Sequence, residues 1–137
     1  MRRWSKLKKK VEKLMDKNLN FKIYCNAYEI GSFGNEIPRW WITINGEIIW
    51  DFPKHYSQED WYYEDLDISQ RLDTYINSPS DDINMLIDLT EDQFDLIHLL
   101  LTCDKRIGKR RLSKMREMES FQQFINIIDQ RLGKTNL

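Results

Sequence analysis

The residue types that most often carry out chemistry in proteins are scarce in this sequence. It contains two histidines, His55 and His98, and two cysteines, Cys25 and Cys103. The cysteines are too few and too far apart for a disulfide framework or a zinc site, and we expect buried, reduced thiols. The sequence has no Gly-rich phosphate loop, no HxxE or CxxC spacing and no EF-hand order of acidic residues. We therefore predict a non-catalytic protein without a metal or a cofactor.

The two histidines lie in different surroundings. His98 follows an isoleucine and precedes a leucine in an apolar run, so we expect it at the edge of the core with its polar atoms satisfied. His55 lies in an acidic and aromatic connector, and it could act as a general base if Asp51 or Glu59 oriented its ring. An enzyme that uses His55 is the weakest functional hypothesis, because any exposed histidine has this capacity.

Binding chemistry has more residues to work with, because charge is strongly segregated along the chain. Residues 1–22 carry a formal charge of +7 and residues 105–137 carry +6, whereas residues 47–104 carry −13. The simplest interpretation is that the basic ends neutralise the acidic middle across the folded surface. The alternative is a surface of one sign that attracts a charged partner.

The first basic segment predicts an amphipathic helix over residues 4–17. Its apolar stripe consists of Trp4, Leu7, Val11, Leu14 and Met15. A second stripe, rotated by roughly 130° at the 100° step of a helix, consists of Lys6, Lys9, Lys10, Lys13 and Lys17. We expect the apolar stripe to pack on the core, because a helix this short with one tryptophan is a weak membrane anchor. No membrane partner is therefore predicted.

Nucleic acid is one of two partner classes that the sequence favours. Lysine and arginine side chains at both ends of the chain could hold phosphate groups, and those near residues 105–116 surround a predicted helix end. The candidate contacts are Lys6, Lys9, Lys13, Arg106, Lys109, Arg110 and Arg111. This hypothesis is the alternative to a protein partner, which we favour.

The favoured hypothesis is a protein-binding module, of the inhibitor or immunity type, that uses an acidic and aromatic surface. Trp and Tyr frequently anchor interfaces, and dense charge of one sign speeds encounter with an oppositely charged protein. The candidate partner-binding residues are Tyr24, Tyr28, Trp41, Trp50, Trp61 and Tyr62. The opposite possibility is that the aromatic connector at 61–63 seals this surface, since large open aromatic patches are rare.

A β-hairpin must position these aromatic residues. Asn45-Gly46 joins two β-prone runs and predicts a two-residue type I′ turn. Such a turn places Trp41 opposite Trp50, so that both share one face with the tyrosines of the preceding strand. Phe52 is expected on this aromatic face too. The other, aliphatic face is expected to hold Phe21, Ile23, Cys25, Ala27, Ile42, Ile44 and Ile49.

The whole pattern predicts one α+β domain over residues 1–137. Its sheet is a three-stranded antiparallel meander, with strands at about 21–30, 38–44 and 47–52. An N-terminal helix precedes the sheet, and about three further helices follow in the C-terminal half, at about 67–77, 91–106 and 117–132. Thr90 to Gln93 form a capping box, and Gly108 and Gly133 are expected to end helices. Residues 83–89 fit either a short strand or a helical turn.

The sequence also predicts a cytoplasmic protein. No run approaches the ~20 apolar residues of a membrane span. The first residues lead into a lysine-rich helix instead of the apolar region of a secretory signal.

Three segments together resemble a family of small, uncharacterised bacterial proteins. They are RRWSKLK at residues 2–8, WIT with IIWDFP at residues 41–53, and RIGKRRL at residues 106–112. The resemblance spans nearly the whole chain and implies a bacterial cytoplasmic protein. That family has no established activity, so the resemblance assigns no catalytic residue.

Overall fold

The computed structural model describes residues 4–25, 39–52, 68–78 and 95–133. Within these ranges three strands form one antiparallel sheet in the order β1-β2-β3, and five α-helices accompany it, which confirms the predicted α+β class. The strands are β1 (Lys22–Cys25), β2 (Trp40–Ile44) and β3 (Glu47–Phe52). The helices are α1 (Trp4–Leu14), α2 (Ile68–Ile76), α3 (Leu96–Cys103), α4 (Lys109–Met118) and α5 (Gln122–Arg131).

The apolar stripe of α1 packs on the core, as predicted. Leu7 and Val11 are buried, and the edge of the Trp4 ring meets Trp40 of β2 with ring centroids 5.1 Å apart. The helix contacts β1 and α2, and it is followed by a short 3₁₀ turn at Lys17–Leu19. The lysines on its opposite side face solvent.

The hairpin turn has the predicted type I′ geometry. Asn45 and Gly46 both have positive φ angles, of 53° and 85°, which is why Asn-Gly is favoured at this position. The register next to the turn also follows the prediction, since Thr43 pairs with Ile48.

The register changes farther from the turn, and this overturns one predicted pair. Ile42 pairs with Trp50 and Trp41 pairs with Asp51, so Ile49 is the extra residue of a β-bulge. The predicted pairing of Trp41 with Trp50 is therefore wrong. Because a one-residue shift moves side chains to the other face, Trp50 lies on the core face, where it is 2% exposed.

The same bulge moves Phe52 to the core face, opposite Trp40. The core face is thus aromatic as well as aliphatic, and Ile49, which we expected to be part of it, is half-buried. The buried side chains of this face are Ile23, Trp40, Ile42, Ile44, Trp50 and Phe52.

The C-terminal helices agree with the predictions in part. Helix α2 matches the expected 67–77, but α3 ends at Cys103, before the predicted 106. The expected helix at 117–132 corresponds to α5, and α4 was not predicted. Gly108 does not end α3; it is the N-cap residue of α4. Gly133 follows α5 with a φ of 77°, as predicted for a helix-ending glycine.

Some predicted features lie outside the described residues. They are the remainder of the first strand from residue 26 to 30, the first residue of the second strand at 38, the connector with His55, the segment 83–89 and the capping box at 90–93.

A junction joins the ends of α1 and α3. The Asp16 amide donates to the Cys103 carbonyl at 2.8 Å, and the Lys105 amide donates to the Leu14 carbonyl at 2.8 Å. Arg131 of α5 locks this junction, because its guanidinium donates to the Asp16 carboxylate and to the carbonyls of Thr102 (2.9 Å) and Ile107 (2.8 Å).

Asp104, directly after α3, is a fully buried carboxylate. It accepts hydrogen bonds from the Tyr75 hydroxyl at 2.6 Å and from the backbone and guanidinium of Arg106. Burial, together with the charge of Asp104, raises the pKa of Tyr75. Burial also raises the pKa of the neighbouring Cys103 thiol.

The bulge predicts different stability effects for two tryptophans of the hairpin. Replacement of the buried side chain in Trp50→Ala should lower the free energy of unfolding by about 3–5 kcal/mol. Trp41→Ala should cost less, because Trp41 is half-buried on the other face. Urea unfolding followed by circular dichroism would measure both values. Equal losses would contradict the face assignment.

Tyr75 and Cys103 predict a loss of stability at alkaline pH. Their ordinary pKa values are 10.0 and 9.0, and both are raised in the folded state. The unfolded chain therefore releases these protons at a lower pH than the folded chain. Their stabilising contribution is complete below pH 9 and falls as the pH rises above these ordinary values, by about 1.4 kcal/mol per pH unit for each group.

Urea unfolding at pH values from 8 to 11 would test this alkaline decline. Tyr75→Phe should be less stable at neutral pH, because a hydrogen bond to a buried carboxylate is lost. It should also show a shallower decline above pH 10 than the natural chain. An unchanged slope in this variant would refute the role of Tyr75.

Candidate functional site

Two adjoining depressions lie beside the C-terminal half of α1. Their volumes are about 340 Å³ and about 390 Å³. Lys13 and Lys105 line both of them, so the two form one concave surface. We call this surface the lysine groove, and its lysines are Lys10, Lys13, Lys17, Lys22 and Lys105.

Local structure explains how these lysines converge. Lys10 and Lys13 project from the polar side of α1, Lys17 begins the 3₁₀ turn, and Lys22 begins β1. Lys105 is distant in sequence but is held beside α1 by the hydrogen bond from its amide to Leu14. All five side chains are exposed.

The groove is strongly positive because the two described carboxylates that line it, Glu12 and Asp16, have other partners. Glu12 pairs with Lys8 at 2.6 Å and also accepts the Ile23 amide. Asp16 pairs with Arg131 at 3.1 Å. Among the described residues, none of the five groove lysines forms an ion pair. Within the described part of the chain, the groove therefore carries five cations that no carboxylate pairs with, an arrangement that attracts negative charge.

The outer face of the sheet carries a column of aromatic rings and cations. Tyr24 and Trp41 stack with centroids 5.1 Å apart and an interplanar angle of 16°. The Lys8 ammonium lies 4.5 Å from the centre of the Tyr24 ring, and the Arg39 guanidinium lies 4.3 Å from that of Trp41. Such cation–π contacts stabilise both partners. We call these four residues the outer-face column.

Asp51 anchors one end of this column. Arg39 donates two hydrogen bonds to its carboxylate, at 3.0 and 2.7 Å, and this pairing raises the pKa of Arg39. Asp51 is 1% exposed although it pairs with Trp41 on the outer face. The outer face is therefore covered at the Asp51 end of β3, whereas Ile48, near the turn on the same face, is 45% exposed.

The structure brings together only part of the predicted partner-binding set. Tyr24 and Trp41 are in contact, whereas Trp50 lies on the core face and cannot contact a partner without unfolding. The remaining members, Tyr28, Trp61 and Tyr62, lie outside the described residues.

The predicted nucleic-acid set is also divided by the structure. Lys6, Lys9 and Lys13 are exposed on one side of α1, and Lys109 and Arg110 are exposed at the start of α4. Arg111 and Arg106 are half-buried.

Arg106, a member of the predicted nucleic-acid set, forms hydrogen bonds within the protein. Its guanidinium binds the Asp104 carboxylate and the Ser78 carbonyl, and the hydrogen bonding to Asp104 raises its pKa.

Sequence reasoning did not assemble the lysine groove. Lys10, Lys13 and Lys17 belong to the predicted lysine stripe, and the alternation of β1 could have indicated Lys22. Lys105 carries no local signal, because its place beside α1 depends on a contact between residues 15 and 104.

Other predicted features have no part in this surface. His98 lies at the edge of the core, as predicted, with a ring nitrogen 2.6 Å from the Glu119 carboxylate. Across the described ranges, no group of three or more His, Cys, Asp or Glu residues could hold a metal ion. No helix in the described part of the chain is long and apolar enough to cross a membrane.

Comparison with curated proteins and with solved structures found no match. A family model, that of the SF0329 protein family, matches residues 3–93, about two thirds of the chain. This range includes α1, the described sheet and α2, as well as the segment 41–53 and all but the first residue of 2–8. The segment 106–112 lies beyond it. The chain belongs to the SF0329 protein family.

Proposed function

We propose that the chain is a non-catalytic binding protein whose partner is a nucleic acid, held by its phosphates at the lysine groove and the neighbouring lysines of α1. The observation that carries this proposal is the convergence of five exposed lysines that form no ion pair with any residue the structure describes. Phosphate groups that bind such lysines release condensed counterions, which favours binding at low salt. Lys6 and Lys9 extend the same positive surface along α1.

Charge compensation inside the fold would be the competing explanation for these lysines. The described carboxylates near the groove are already engaged, because Glu12 pairs with Lys8 and Asp16 pairs with Arg131. The buried carboxylate Asp104 pairs with Arg106. Among the described residues, these pairs leave no nearby acid that neutralises the groove lysines, which supports an external anionic partner.

Neutralising the lysines of α1 and its 3₁₀ turn should weaken nucleic-acid binding. A variant with Gln at positions 6, 9, 10, 13 and 17 removes five charges. If each lysine contacts one phosphate of a single strand, the slope of log K against log salt should become shallower by about 3.5. Fluorescence anisotropy with a labelled oligonucleotide over a salt series would measure it.

Lys114→Gln is a suitable control, because this exposed lysine of α4 lies outside the groove. It should leave the slope close to that of the natural chain. If the natural chain binds no nucleic acid at low salt, the proposed function is wrong.

A protein partner is a second candidate, favoured by the outer-face column. Trp, Tyr and Arg are the residue types most enriched at the energetic centres of interfaces. Here Tyr24, Trp41 and Arg39 are already ordered by stacking and by the ion pair with Asp51. Ordered side chains lose less conformational entropy on binding, which favours affinity.

The protein-binding candidate predicts that Trp41→Ala weakens capture of a protein partner. The protein to test is one encoded by a neighbouring gene, co-expressed with this chain. Removal of an anchor tryptophan from an interface commonly costs at least about 2 kcal/mol, or about 30-fold in Kd. Thr43→Ala, on the same face of β2, is the control and should have little effect. Unchanged capture by Trp41→Ala would exclude the column as the interface.

A further inference from the structure

We infer that the lysine groove accepts a single flexible chain of phosphate groups, such as the backbone of a single-stranded nucleic acid or inorganic polyphosphate, and that it binds phosphates without stacking bases. This inference rests on the proposed function and names the class of ligand. The chemistry common to both ligands is a row of phosphate groups with freely rotating links.

The shape of the groove favours a single chain over a duplex. Its two parts hold about 340 Å³ and about 390 Å³ and are joined at Lys13 and Lys105. Volumes of this size suit small ligands or short stretches of a flexible chain. A duplex is a stiff rod with a persistence length of about 50 nm. It cannot bend into a depression of this size, and therefore could touch only its rim.

The spacing of the lysines favours a row of phosphates over one anion. Lys10 and Lys13 are three residues apart on α1, about 4.5 Å along its axis. Lys17 lies farther along the chain and Lys22 lies on β1. Lys105 lines both depressions. The five cations thus follow a path that successive phosphates could occupy together.

The path leads towards aromatic rings, but the rings are already covered. Lys22 and Tyr24 alternate on β1 and therefore lie on the same face of the sheet. Proteins that stack the bases of single strands offer open aromatic faces. Here Tyr24 is covered by Lys8 and by Trp41, and Trp41 is contacted by Arg39 as well. We therefore expect the groove to contact the phosphates while the bases stack on no aromatic ring of this surface.

Four probes of similar length test this inference by fluorescence anisotropy and competition. They are a labelled oligothymidine, the duplex formed with its complement, an abasic strand and inorganic polyphosphate. We expect the single strand to bind more tightly than the duplex, the abasic strand to bind as tightly as the oligothymidine, and polyphosphate to compete with both.

Two double variants locate the site. Lys13→Gln with Lys105→Gln removes the two lysines that line both depressions. Loss of two contacts to a single strand should reduce the salt slope by about 1.4 and raise Kd about 25-fold at about 0.1 M salt. Lys109→Gln with Lys114→Gln makes the same charge change on α4, outside the groove and away from the lysines of α1, and should have a smaller effect. All four side chains are exposed, so circular dichroism should show an intact fold in each variant.

The outcomes separate this inference from the proposed function. Three results would overturn the inference and leave nucleic-acid binding intact. They are preference for the duplex, weaker binding of the abasic strand, and equal losses of single-strand affinity in the two double variants. Polyphosphate binding without any oligonucleotide binding would support the groove as a phosphate-chain site and overturn the proposed function. If no probe binds, both are wrong.

Discussion

The junction between the ends of α1 and α3 is the constraint on which the rest of the structure depends. Arg131 has a side chain that is 3% exposed, and a buried guanidinium is tolerated only if its donors are satisfied. Its donors satisfy the Thr102 and Ile107 carbonyls and the Asp16 carboxylate. The guanidinium and the oxygen atoms that it binds would each cost free energy if they were buried without a hydrogen-bond partner, so each depends on the others. This mutual dependence brings the first and last helices together and holds Lys105 beside α1.

Arginine and lysine have different tasks in this molecule. The planar guanidinium can form two parallel hydrogen bonds to a carboxylate, whereas the lysine ammonium is a strongly hydrated point charge. Within the described ranges, four arginine side chains pair with acids that are largely withdrawn from solvent. These pairs are Arg39–Asp51, Arg106–Asp104, Arg116–Asp129 and Arg131–Asp16. The lysines of the groove keep their charge available to a ligand. The total charge of a segment also counts the paired arginines, so it does not show where the available positive charge lies.

Local signals predicted the features that depend on neighbouring residues. The apolar stripe of α1 and the Asn45-Gly46 turn are examples, because a few neighbouring residues determine the helical periodicity and the positive φ angles. The bulge at Ile49 was not predictable in this way, since Ile48 and Ile49 are both suitable strand residues. Helix α4 was missed because its sequence is strongly polar and buries only Leu112. The groove escaped prediction because Lys105 reaches α1 only through the folded junction.

Glu12 connects the two surfaces that could bind a partner. Its carboxylate accepts the Ile23 amide at 3.0 Å and pairs with Lys8, whose ammonium also covers the Tyr24 ring. One ion pair therefore has two consequences. It removes negative charge from the lysine groove, and it covers an aromatic face that could otherwise stack a base. Phosphate binding in the groove and the absence of base stacking on the sheet are thus two results of the same contact, and they are expected to occur together.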